Sequence, residues 1–352
     1  MATIAARPPA SRPPGPRGHW LMGNLPELRP DRLAALTRWA REYGDIVSVR
    51  LAHRRIWALN HPDLIEEVLV TKNRCFTKHF ALKTARPTLG EGLLTSEGDF
   101  WRRQRKLSQP AFHRERVASY AEVMVRYAEE LIARWPDGGA LDIHEEMMLV
   151  TLRIVAKTLF DADVGGDAVG VSHAMEILMQ TFTARINRFI RLPDFLPTPS
   201  NRRHQKALAS LEAILFRIIA DRRAGGIDRG DLLSMLLQAQ DDDDGTGMTD
   251  RQLRDEAMTL FLAGHETTAN TLAWALFLLA DHPEVEAKLH EEIDRVLDGR
   301  PPTFADLPQL AYTDRVITET LRIYPTVWLL GREAVEPVEI GGLACQGGPR
   351  CG

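Results

Sequence analysis

The stretch from Thr249 to Ala280 limits what this chain can fold into more than any other. It reads as one helix, and roughly 30 residues at a 1.5 Å rise span about 45 Å, enough to cross a whole domain. Thr249 is a candidate N-cap, and Gln252 three residues on can complete a capping box. Leu253, Ala257, Leu260 and Phe261 recur at helical spacing, as do Leu272, Ala275, Leu276 and Leu279. Such a helix should be buried. Yet Gly264, His265, Glu266, Thr267 and Thr268 interrupt its centre, and buried polar groups cost free energy unless they are paired or used.

The rest of the composition narrows the setting. The chain has 352 residues, 44% of them hydrophobic, and a formal net charge of -4. That is enough for a sizeable core, and no basic excess points to nucleic acid. Cys75, Cys345 and Cys351 do not form a disulfide framework, which favours a reducing, cytoplasmic setting. The Pro- and Arg-rich start has no apolar signal core. Met258 to Ala280 is the most apolar run, but Gly264, His265, Glu266 and Asn270 argue against a membrane span.

Residues 1–18 read as an extended arm. Pro30 to Tyr43 read as a helix that Gly44 stops. Residues 46–49 and 56–59 read as strands, with a basic turn at Arg54-Arg55. His61-Pro62-Asp63 opens a helix with Pro62 at its first position. Residues 75–98 read as a long irregular connection, a type that is often functional. Helices are expected over most of 101–135, interrupted at Pro110, and over 144–160, 170–190, 201–223, 231–240, 283–299 and 311–324. A Pro-rich break falls at 192–199 and a strand at Val338-Glu339-Ile340. The acidic loop Asp241 to Asp244 fails as a calcium loop, because its twelfth position is Arg251. The fold class expected is mainly α with a small β region drawn from both ends of the chain.

Three constellations carry chemistry. His265-Glu266-Thr267-Thr268-Ala269 is half of a zinc-protease pattern, and Ala269 stands where the second His is needed. Glu266 and Thr267 are either a polar patch pairing with a neighbouring helix or an acid beside a hydroxyl that passes protons to a ligand. In the second reading Gly264 and the Thr hydroxyls locally loosen the helix. Glu319 and Arg322, at i and i+3, make an ion pair, by spacing alone an ordinary surface one. Trp101 and Arg105 project together. They either begin a basic amphipathic helix or offer an indole N–H and a guanidinium to one anion.

In this order, "WRRQR", "AGHETTA" and "ETLR" resemble the cytochrome P-450 family, the haem-thiolate monooxygenases. The resemblance runs from the "PPGPRG" arm to about Gly342. It implies haem iron as cofactor, with Trp101, Arg105 and Arg332 (in "GREA") holding its propionates. Ala263 and Gly264 would lie on the distal face, and Glu266 and Thr267 would steer protons to bound dioxygen. Glu319 and Arg322 would be a buried structural pair. The 75–98 connection, residues 178–195 and the segment with Val327 and Leu329 would border a pocket for a small lipophilic substrate, although Val327 and Leu329 read equally as core. The implied protein is soluble and monomeric. It takes dioxygen, and electrons from an external ferredoxin or flavoprotein reductase. One incomplete domain, residues 19–343, is expected between the arm and an atypical tail, 344–352.

The family's iron ligand is a Cys thiolate in a Phe-containing, Gly-rich loop well beyond the Glu-x-x-Arg helix. This sequence reaches Gly352 only 30 residues after Arg322. The haem-ligand part is therefore expected to be missing. Cys351 is not expected to replace it: Arg350 abuts it, no Phe starts the loop and no helix follows. The change of composition after Leu343 is read as truncation by a frame change. The alternative function is then a non-catalytic remnant that does not bind haem productively.

Overall fold

The computed structural model describes residues 12–161, 171, 173–174, 177–178, 180–181, 196–225, 229–241 and 245–345. Contacts gather into two compact units, Met1–Ala81 with Gly331–Gly352, and Leu82–Leu330.

The first unit builds on helix α1 (Arg32–Tyr43). Asp31 caps it by accepting the Ala34 N–H at 2.9 Å, and Gly44 ends it at φ 95°. An antiparallel hairpin of β1 (Ile46–Leu51) and β2 (Arg54–Leu59) follows. Ala35 and Trp39 of α1 bury against Val47 and Val49 of β1. The turn is not Arg54-Arg55, which pair with Leu51 and Arg50 inside the hairpin. It is Ala52-His53, with Ala52 at φ 52°. A two-residue hairpin turn needs left-handed backbone to match strand twist, and no Gly or Asn marks it here. Pro14 accepts the Ser48 N–H at 2.7 Å, so the described part of the arm lies along β1. His61 caps α2 (Pro62–Glu66), with Pro62 in its first turn. β3 (Phe76–Lys78) pairs with β4 (Arg332–Ala334), and β5 (Val338–Ile340) with β6 (Leu343–Cys345). The small β region thus comes from both ends of the chain.

The second unit holds α3 (Arg86–Leu89), α4 (Gly98–Ser108), α5 (Arg114–Ile132), α6 (Ile143–Phe160), α7 (Pro199–Gly225), α8 (Leu232–Gln238), α9 (Asp250–Asp281), α10 (Pro283–Leu297) and α11 (Ala311–Ile323). Helix α9 is its axis. Its capping box is formed: Gln252 accepts the Thr249 N–H at 2.8 Å, and the Thr249 hydroxyl accepts the Gln252 N–H at 3.3 Å. Leu253, Ala257, Met258 and Phe261 of α9 bury with Leu152, Val155 and Phe160 of α6, Leu215 and Ile219 of α7, and Leu233 and Leu236 of α8. Farther along, Ala269 joins Tyr127, Leu131, Met147 and Val150. Burying each large side chain stabilises by about 1.5–3 kcal/mol, so Leu152→Ala should cost about 2–5 kcal/mol.

Two expectations change in detail. The 75–98 connection is packed rather than irregular: it contains β3 and α3, and Leu89, Thr95 and Ser96 are buried. On α9, Leu276 is exposed although its spacing predicts burial. Most of the 178–195 segment, residues 242–244 and the tail with Cys351 lie outside the described residues. Among the described residues no helix is long and apolar enough to cross a membrane.

Candidate functional site

Helix α9 has a packed side and an open side, and the polar centre is divided between them. Phe261, His265 and Ala269 are buried, whereas Ala263 and Trp274 are exposed and Thr267 is partly so. Ala263, Thr267 and Trp274 lie at i, i+4 and i+11, on one stripe. Gly264 meets α6: a Cβ there would come 3.1 Å from Val155 Cγ2, so the glycine permits the close approach of the two helices.

His265 belongs to the packed side. Its Nε2–H donates to the Met148 carbonyl of α6 at 2.9 Å, since a carbonyl can only accept. Burial pushes the imidazole pKa down, so the ring is neutral near pH 7. It is a core histidine, which explains half of the zinc-protease pattern without a metal. Sequence spacing alone did not find this partner, 117 residues away.

Thr267 faces the other way, and Glu266 stands between the two sides, within reach of the charge of His144 on α6. The Thr267 hydroxyl donates to the Ala263 carbonyl at 2.6 Å, and that of Thr271 to the Thr267 carbonyl at 2.9 Å. These bonds supplement the helix ladder and do not break it: α9 is α-helical from Asp250 to Asp281, so the expected loosening is not a local unwinding. Glu266 is half-buried, and burial raises its carboxyl pKa. His144 acts in the opposite sense, and its Nε2 lies 3.1 Å from Asn270 Oδ1, one turn along from Glu266. Glu266 is thus a carboxyl held above its ordinary pKa by burial, next in sequence to a hydroxyl whose hydrogen points inward.

The other predicted residues are placed as follows. Arg105 Cζ lies 5.4 Å from the Trp101 ring centre, so the pair projects together from α4. Arg103 and Arg102 of the same motif are occupied elsewhere, with Asp241 and Thr246, and with Asp99. Among the described residues no carboxylate pairs with Arg105. Glu319 and Arg322 form a two-pronged ion pair at 2.6 and 2.7 Å. It is not buried, however: the side chains are 53% and 69% exposed, because both stand on the open face of α11. Just beyond α11, Tyr324 stacks on Trp274 at 4.1 Å. Val327 and Leu329 are exposed and not core. Arg332 belongs to the first unit, where it opens β4 and donates to the Gly331 carbonyl at 3.0 Å.

Whether these residues fit a haem can be tested on what they present. The distal part fits: a small exposed Ala263, a hydroxyl already satisfied inward, and a cation on an indole suited to a carboxylate. The axial donor is another matter. The family's ligand is a thiolate in a Phe-containing, Gly-rich loop. Neither described cysteine stands in such a loop: Cys75 lies against Glu336, and Cys345 ends β6. Cys351 lies outside the described residues, and among the described residues no cluster of His, Cys, Asp and Glu could hold a metal ion.

Comparison with known proteins adds an independent line. The family model described as Cytochrome P450 matches residues 13–350. Cyclooctatin synthase of Streptomyces melanosporofaciens is 43% identical over 85% of this chain and 66% of its own length. Cyclooctat-9-en-7-ol 5-monooxygenase of the same organism is 38% identical over 95% and 75%. Pentalenene oxygenase of Streptomyces avermitilis is 38% identical over 86% and 67%. The chain therefore spans about two thirds to three quarters of the length of these relatives.

Proposed function

We propose that this chain, which belongs to the cytochrome P450 family, acts as a haem-dependent monooxygenase on a lipophilic organic substrate. The reaction inserts one atom of dioxygen into the substrate and reduces the other to water, using two electrons and two protons. The observation that carries the reading is the open stripe of α9, where Thr267 is locked to the Ala263 carbonyl beside a half-buried acid of raised pKa.

Haem, when bound, supplies the redox chemistry that cleaves dioxygen. The chain's residues do the rest. The small Ala263 would leave space for the group, and the Arg105 guanidinium beside Trp101 would hold a propionate; Arg332 would be a further propionate partner by the resemblance alone. Glu266 would exchange a proton with solvent, with His144 nearby. Thr267, its own hydrogen donated to the Ala263 carbonyl, would accept a hydrogen bond from a water or ligand in the site and so orient that donor. Glu319 and Arg322 pair with each other on the exposed face of α11. The names of the relatives, an alkene oxygenase and an alkenol monooxygenase, support an apolar substrate for this chain too, as do the exposed Val327 and Leu329. A ferredoxin or flavoprotein reductase donates the electrons, and the protein works as a cytoplasmic monomer.

The relatives' names favour this enzyme over a haem-free remnant. The test is the optical spectrum of the reduced, carbon-monoxide-treated protein after expression with haem precursor. A Soret band from bound haem is expected, its position showing whether a thiolate ligates the iron, and a protein free of haem overturns the reading.

A further inference from the structure

Two consecutive acids on α9 are spent on a loop. After α3, residues 90–94 read Gly-Glu-Gly-Leu-Leu. The Glu91 N–H donates to Asp255 Oδ2 at 2.8 Å, and the Leu93 N–H donates to Glu256 Oε2 at 3.0 Å. Alternate loop residues therefore meet adjacent helix carboxylates. Asp255 is 6% exposed and Glu256 1%. Burying carboxylates is costly unless they are paired and hydrogen-bonded. Asp255 also pairs with Arg254 at 2.8 Å, and Arg254 reaches the Thr88 carbonyl at 2.8 Å and Glu212 at 2.5 Å. The loop closes on itself as well, the Thr95 hydroxyl donating to the Gly90 carbonyl at 2.7 Å.

The two glycines show how close the contact is. Gly90 has φ +63°, and a Cβ on it would collide with the Asp255 carboxylate. A Cβ on Gly92 would collide with the Thr259 hydroxyl and with the Asp255 carbonyl, 2.5 Å away. The loop backbone thus lies directly on the helix. Its footprint matters because Glu256, Thr259, Ala263 and Thr267 fall at i, i+3, i+7 and i+11, on one face of α9. The loop covers the first half of the stripe whose second half is the open site.

We propose that Asp255 and Glu256 are positioning residues that clamp the 90–94 loop as a fixed wall beside the site, so that any movement admitting the substrate occurs elsewhere. The inference rests on the reading of the Ala263–Thr267 stripe given above. The clamp itself needs neither haem nor turnover, so its failure and the failure of that reading are separable.

The test is amide hydrogen exchange of the full chain, comparing residues 90–96 with α6. Glu256→Leu removes the acceptor and should speed exchange at Leu93 by about tenfold or more, with α6 unchanged. Glu256→Gln keeps an acceptor oxygen and should restore protection, which a merely structural loss of packing or charge would not predict. Equal protection in wild type and Glu256→Leu overturns the proposal. If Glu256→Leu loosens the whole unit, Gly92→Ala decides: it leaves every carboxylate in place while lifting the loop. Faster exchange confined to 90–96 then supports the clamp, and unchanged exchange there overturns it.

Discussion

The Thr267 hydroxyl lies 2.6 Å from the carbonyl oxygen of Ala263, one turn back on the same helix. Its hydrogen is therefore committed inward, and the side chain offers the open face only an acceptor. A residue held in this way serves chemistry more than stability. Thr267→Ala should leave the unfolding free energy from urea titration within about 0.5 kcal/mol of wild type, while the loaded enzyme consumes oxygen in excess of product. Thr267→Ser should retain coupling. Unchanged coupling in Thr267→Ala removes this residue from proton delivery.

Glu266 has the opposite character. Its folded pKa is raised by burial above the ordinary 4.5. Between 4.5 and the folded value the native state holds a proton that the unfolded state has lost, so stability falls as pH rises through that window. The penalty is complete above the folded pKa. Glu266→Gln should therefore unfold at higher denaturant than wild type at pH 8, with the difference gone at pH 4. Denaturation curves at the two pH values check this, and a Gln variant weaker at pH 8 contradicts it.

For His265 the sign reverses. Burial lowers its pKa below 6.5, so the unfolded state binds the proton first as pH falls. Stability conferred by the neutral ring is full above pH 6.5 and is lost on acidification through that point. Replacing this buried ring by Ala should cost about 3 kcal/mol, as for large aromatic deletions. Urea unfolding at pH 7.5 and 5.5 should show the cost shrinking in acid.

Gly264 tests the packing of α9 on α6. Ala at this position gains about 1 kcal/mol of helix propensity but sets a Cβ 3.1 Å from Val155. Gly264→Ala should come out near neutral, while Gly264→Leu should overpack and destabilise by about 1–3 kcal/mol. Thermal melts of the two variants would separate these outcomes.

Features set by neighbours in sequence were legible before the structure. The Thr249–Gln252 capping box, the Gly44 stop, the Pro62 start and the Trp101–Arg105 projection all follow from local spacing. The Glu319–Arg322 pair was legible from spacing as an ordinary surface pair, and it stands exposed on α11, whereas the family resemblance implied a buried one. Non-local partners were invisible. Nothing beside His265 announces the Met148 carbonyl, and nothing beside Asp255 and Glu256 announces the amides of Glu91 and Leu93. The Ala52-His53 turn was missed for a different reason: its left-handed residue is an alanine, which carries no turn signal.

The central claim is that the open stripe of α9 at Ala263 is the surface a haem lies on. Ala263 is exposed, so a large side chain there meets solvent rather than protein. Haem titration of wild type and Ala263→Trp, with circular dichroism as the check on folding, tests the claim most directly. The account predicts haem uptake by the wild type and none by a folded Ala263→Trp. Equal uptake by both proteins, or none by the wild type, would contradict it.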